Sequence, residues 1–89
     1  MQLPNEVVDD VRVRLRRVAG QVEGVERMLA DGRECRDVLV QLSAATRALQ
    51  QAGFKLLASG VTYCLEHRQD AVAEGYPLES LEKMFRRLS

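Results

Sequence analysis

The chain has no tryptophan, only two tyrosines and two phenylalanines, two prolines and one histidine among 89 residues. So few aromatics, with little clustering of β-branched residues, argue against a sheet and favour an all-α chain. No apolar run approaches the roughly 20 residues needed to span a bilayer. The opening MQLPNEVVDD is acidic and lacks the charged-then-apolar order of a signal peptide, so the expectation is a cytoplasmic protein. The formal net charge is zero, which gives no global case for nucleic acid. No acid–base pair or phosphate loop is present, and one histidine cannot be set beside a nucleophile except by assembly. An enzyme is not expected, nor is a resident cofactor.

What is present is helix patterning. At 46% hydrophobic residues the composition is that of a folded chain. Its length allows one domain, residues 1–89, with a core small enough to want a staple, a metal or a partner subunit. Val8, Val11, Leu15, Val18, Val22, Val25 and Leu29 follow a 3,4 spacing over three heptads. Helix 1 is expected from about residue 5 to about residue 30, with Asn5 as N-cap and Gly32 as stop. The same spacing recurs in Cys35, Val38, Leu42, Ala45, Leu49, Ala52 and Leu56. Beside it runs a second apolar or small stripe of Leu39, Thr46, Gly53, Leu57, Gly60 and Cys64. Helix 2 is expected to continue to about His67, buried on more than one side. The segment EGYP, Glu74 to Pro77, breaks the chain. Leu78, Leu81, Phe85 and Leu88 then form a short amphipathic helix 3 with Pro77 near its first turn. Three helices cannot bury all these stripes alone. An antiparallel helical homodimer is expected, with a further pairing into a tetramer as an extension. The GxxxG spacing in GQVEG, Gly20 to Gly24, allows close helix approach and carries no function in so polar a helix.

Two features carry chemistry. The first is VRVRLRR, with Arg12, Arg14, Arg16 and Arg17 in six positions. They fan around a helix, and a solvated face explains them as well as an anionic partner does. The second is the pair Cys35 and Cys64, 29 positions apart. On one helix they are roughly 44 Å apart. A disulfide needs Cα atoms within about 7 Å, and a shared metal needs sulfurs about 2.3 Å from one ion. Neither is possible within one chain. In an antiparallel pair of helix 2s, Cys35 of one subunit faces Cys64 of the other. The alternative is two unrelated cysteines serving as small hydrophobes.

LRRVAGQVEGVERML, then GRECRDVLVQLSAATRAL, then the late Cys64, resembles the CsoR/RcnR family of bacterial repressors, from about Val11 to Leu88. The resemblance implies a three-helix protomer, a four-helix-bundle dimer and a dimer of dimers. It implies binding to double-stranded operator DNA and release when an inducer occupies a thiol site between subunits. DNA would be met by Arg14, with Arg16 and Arg17 nearby and Arg47 and Lys55 extending the patch on helix 2. A further helix-2 arginine of copper-sensing members falls at Gln51 here. Copper sensors hold Cu(I) with Cys, His and Cys, and the position of that histidine is Gly60. Their accessory tyrosine and glutamate fall at Glu34 and Ser80.

A Cys–Cys pair without the histidine resembles the CstR branch, which senses persulfides and polysulfides. That resemblance implies Cys35 as attacking thiol, with the helix N-terminus, Arg33 and Arg36 favouring its thiolate, and Cys64 as resolving thiol. No metal is then required. The alternative is a Cu(I)-responsive repressor using Cys35, Cys64 and His67, the last sharing a helix face with Cys64 at i+3. The blander role for His67 is a solvated residue favourable to the helix dipole. Formaldehyde-sensing members, with proline after the initial Met, fit less well because that residue is Gln2.

Overall fold

The structure, a computed structural model, describes residues 2–88. Four helices and no strand are present among the described residues: α1 Asn5–Ala30, α2 Cys35–Glu66, α3 Arg68–Ala73 and α4 Leu78–Leu88. The all-α expectation holds, and the expected spans of the first two helices hold with it. Two details differ. Pro4, not Asn5, sits at the N-cap of α1, and no side chain caps it. The Pro4 carbonyl already accepts from the N–H groups of Val7 and Val8, each at 3.1 Å, so Asn5 lies inside the first turn. The third expected helix is preceded by one more, α3, which follows α2 after a break at His67 (φ −134°, ψ 56°).

The helix ends explain how a chain this short folds back twice. At the end of α1, Gly32 adopts φ +67°. Its N–H donates to Leu29 O at 3.2 Å, and the Arg33 N–H donates to Met28 O at 3.0 Å. The same arrangement closes α3. Gly75 adopts φ +85° and donates to Val72 O at 3.0 Å, while Tyr76 N–H donates to Ala71 O at 2.8 Å. Both are Schellman turns, and both need a residue that accepts the left-handed region without steric cost. The first sends α2 back along α1. The second sends α4 back along the C-terminal half of α2.

The α1–α2 hairpin divides each heptad row in two. Val11, Val18 and Val25 are buried on α1, and Val38, Ala45 and Ala52 are buried on α2. These positions recur every seven residues, and antiparallel packing sets the two rows against each other. The small Ala45 and Ala52 bring the helices close. The other half of each row faces outward. Leu15, Val22 and Leu29 on α1 and Leu42, Leu49 and Leu56 on α2 are exposed, Leu29 at 64% and Leu49 at 52%. A continuous apolar face therefore runs along the hairpin.

A second cluster sits at the other end of α2. Cys64, Ala71 and Leu81 are buried together, packed by Leu57, Val61, Tyr63 and Tyr76. The end of α4 is fastened to the middle of α2. The Phe54 and Phe85 rings lie 5.5 Å apart, and Gln50 Nε2 donates to Leu88 O at 3.2 Å. Gly53 leaves room for Leu88, whose Cδ2 would lie 2.8 Å from a Cβ there. Ala52, in the buried row of α2, is 1% exposed. Replacing it with leucine should destabilise the fold by about 1–3 kcal/mol through overpacking. Urea denaturation of Ala52→Leu at fixed chain concentration checks this, and an unchanged midpoint would contradict the packing described.

Candidate functional site

The two thiols have opposite environments. Cys35 is the first residue of α2 and is exposed. It lines a shallow concavity with Arg36, Leu39, Val40, Ser43 and Arg47. Cys35 also heads the outward-facing row continued by Leu42, Leu49 and Leu56. Cys64, three positions before the His67 break, is 3% exposed. Its Sγ–H donates to the Tyr76 carbonyl at 3.0 Å. That carbonyl is free to accept because the chain turns at Gly75 and leaves the helical hydrogen-bond pattern. The segment from Ala71 to Leu81 thus covers Cys64, which the sequence pattern did not foretell.

Within one protomer the thiols stay apart. The residues between them form one unbroken helix, so their separation is about 44 Å. Around that helix they point to nearly the same side, about 20° apart at 100° per residue. An antiparallel neighbour α2 would therefore meet both.

His67, three residues beyond Cys64, is the C-cap of α2: its N–H still donates to Tyr63 O at 2.8 Å, while its own dihedrals (φ −134°, ψ 56°) end the helix there. Its ring lies 5.0 Å from the ring of Tyr63. Tyr63 O–H donates to Glu74 Oε1 at 3.4 Å. Burial, reinforced by the Glu74 carboxylate, pushes the Tyr63 hydroxyl above its ordinary pKa. Gly60 is buried and lines an apolar cavity with Leu56, Leu57, Leu81 and Met84. Among the described residues no three His, Cys, Asp or Glu side chains are gathered to hold a metal.

The basic residues fall into two groups. Arg14 and Lys55 are brought together from α1 and α2 by one carboxylate. Asp10 Oδ2 lies 2.8 Å from Lys55 Nζ and 3.4 Å from Arg14 Nε. The Lys55 hydrogen bond, helped by the Arg14 charge, holds the Asp10 carboxyl below its ordinary range. Arg47, Gln51 and Lys55 stand four residues apart on one side of α2. Arg17 shares the side of Arg14. Arg16, two residues from Arg14, points about 160° away around the helix and is not brought to this group. Asp10 is the residue that inspection of the arginines alone passes over. Its signal was the i, i+4 spacing to Arg14.

On this hairpin half of each heptad row lies uncovered, and the two thiols sit at opposite ends of one helix. Residues 8–87 match the family described as metal-sensitive transcriptional repressors. The chain belongs to that family, the CsoR/RcnR repressors that the sequence resembles. It is 45% identical over 69 residues to the copper-sensing transcriptional repressor RicR of Mycobacterium tuberculosis, covering 78% of this chain and 69% of that one. It is 36% identical over 67 residues to the copper-sensing transcriptional repressor CsoR of Bacillus subtilis, covering 75% of this chain and 63% of that relative. The fold matches the crystal structure of the copper-sensing repressor CsoR with Cu(I) from Geobacillus thermodenitrificans. The TM-score is 0.74 at 35% identity, over 99% of this chain and 88% of that one. No helix among the described residues is long and apolar enough to cross a membrane.

The covering of Cys64 has a direct consequence for its reactivity. In the native reduced protein, Cys64 should react with iodoacetamide on the order of 100-fold more slowly than in urea. Peptide mass mapping over time reads this. Equal rates in the two conditions would show that the Tyr76 segment does not seal the thiol.

Proposed function

We propose that the chain represses transcription by binding operator DNA as a homo-oligomer, and releases it when an inducer joins Cys35 of one subunit to Cys64 of another. One observation carries this reading: both thiols lie on the same side of a single helix, at opposite ends, with an uncovered apolar row between them. Such a site is complete only where two α2 helices pair antiparallel. The uncovered rows supply the driving force for pairing, since apolar side chains at every seventh position are the material of a helical bundle. A four-helix-bundle dimer follows, and a dimer of dimers is the assembly that the family resemblance implies.

On this reading Arg14, Arg17, Arg47 and Lys55 contact DNA, chiefly through phosphates, with Arg16 reaching a second strand of contacts from the other side of α1. Affinity then falls steeply with salt.

Two inducers suit a pair of thiols. Cu(I) has the support of the relatives, each of which is named copper-sensing. Soft thiolates select Cu(I), and His67, at the end of the same helix as Cys64, is the candidate third donor. A persulfide has the support of one position in this chain, Gly60, which stands among apolar side chains where copper-sensing members hold histidine. Its chemistry needs no imidazole. The Cys35 thiolate attacks the outer sulfur of an organic persulfide and expels the organic thiolate, leaving a Cys35 persulfide. The Cys64 thiolate of the second subunit then attacks the Cys35 sulfur, closing a disulfide and releasing hydrosulfide. A further sulfur donor would lengthen the bridge to three or four sulfurs.

Two measurements test the proposal. Anaerobic Cu(I) and a small organic persulfide are added separately to the protein bound to DNA of its own promoter, with intact mass recorded alongside. Release by Cu(I) without covalent change supports the copper reading. Release by persulfide, with a covalent dimer of two 10.0 kDa chains, supports the sulfur reading. Release that persists unchanged in Cys35→Ser would sink both. Separately, Leu49→Lys places a charge in the uncovered row and should convert the oligomer to monomer in sedimentation or light scattering. Retention of the native mass would remove the bundle interface proposed here.

A further inference from the structure

The basic surface shared by α1 and α2 holds one acidic member at its centre. Asp10 presents a single oxygen, Oδ2, to donors from two helices: Lys55 Nζ at 2.8 Å and Arg14 Nε at 3.4 Å. The placement is set by the backbone. Arg14 is one turn beyond Asp10 on α1, and Lys55 faces them from antiparallel α2. Two cationic donors converging on one oxygen form an anion position that is already assembled in the folded subunit.

We infer that Asp10 occupies the position a DNA phosphate oxygen would take between Arg14 and Lys55, and so holds the chain's affinity for DNA below what its cations alone would give. The inference rests on the DNA-binding reading above. A non-bridging phosphate oxygen accepts the same charge-assisted hydrogen bonds from the same donors as a carboxylate oxygen does. The two cannot occupy one position, so phosphate must displace the carboxylate and then lie beside its negative charge. The group is within reach of a ligand, since the Asp10, Arg14 and Lys55 side chains are 37%, 41% and 45% exposed. An ion pair that exposed adds little to stability. Holding the fold together is therefore a weak account of the arrangement, and modulation of an anion site is a better one. Asp10 thus acts as a built-in competitor that makes the bound state easier to leave.

Asp10→Asn keeps the shape and removes the charge. Asp9→Asn makes the same change in net charge one residue earlier, on an exposed position of α1. Binding of both variants and of the full-length native protein is measured by fluorescence anisotropy, with an own-promoter duplex and with a random duplex, between about 50 and 300 mM salt. Asp10→Asn should bind both duplexes about tenfold more tightly at ~0.1 M salt, with a log–log salt slope steeper by about 1 for each phosphate newly reached. Asp9→Asn should gain less than about threefold from its more distant charge change. Adding Lys55→Gln to Asp10→Asn should abolish the gain. Equal gains from Asp9→Asn and Asp10→Asn would reduce the effect to net charge and overturn the inference. Unchanged or weaker binding by Asp10→Asn, with native binding intact, would also overturn it while leaving the repressor reading standing. If no protein bound either duplex at any salt, the repressor reading would fall, and the inference with it.

Discussion

A two-helix hairpin can bury only one side of each helix, and everything else in this molecule depends on that limit. Each of α1 and α2 carries an apolar seam of heptads, and the hairpin consumes every other position of each seam. Val11, Val18 and Val25 meet the row of Val38, Ala45 and Ala52, while Leu15, Val22, Leu29, Leu42, Leu49 and Leu56 are left in solvent. All the leucines of the two seams, and Val22, are left outside. Small residues inside bring the two helices of one chain close, and the branched leucines are reserved for a surface that one chain cannot cover. The hairpin therefore leaves half of each seam uncovered.

The same limit governs the thiols. One long straight helix keeps Cys35 and Cys64 from meeting within a chain, yet aligns them on one side so that a paired helix presents both. The two ends then differ in cover. Cys35 stands open at the start of α2 beside Arg36 and Arg47. Cys64 is held in a small core and hydrogen-bonded to a carbonyl released by the Gly75 turn. An inducer that joins them must take one thiol from the surface and the other from beneath the C-terminal segment.

Much of this was legible in the residues. The 3,4 spacing located α1 and α2 to within a residue or two, because a helical seam repeated three times has no competing interpretation. Gly32 marked the first turn because a left-handed position almost demands glycine. The periodicity could not say which half of each seam is buried, since both halves are equally apolar and only the partner distinguishes them. The end of α2 near His67 was foreseen, but the six-residue α3 that follows it is too short to carry a periodic apolar pattern and went unseen. Arg14 and Lys55 were read as one patch and are indeed side by side, but the carboxylate between them becomes visible only when two helices are laid together. Arg16 was grouped with Arg14 by proximity in sequence, which in a helix is a poor guide to proximity in space.

The last helix has a geometric property beyond its packing. α4 begins next to the cover of Cys64 and ends against Gln50, Gly53 and Phe54, halfway back along α2. It is an 11-residue rod, about 16 Å long, pinned at both ends. A rigid body held at two points cannot be lifted at one without turning about the other. The far contact is made by the sequence neighbours of Gln51 and Lys55 on α2. The stretch from the cover of the buried thiol to the part of α2 that carries the basic row is thus spanned by one short helix lying alongside the long one.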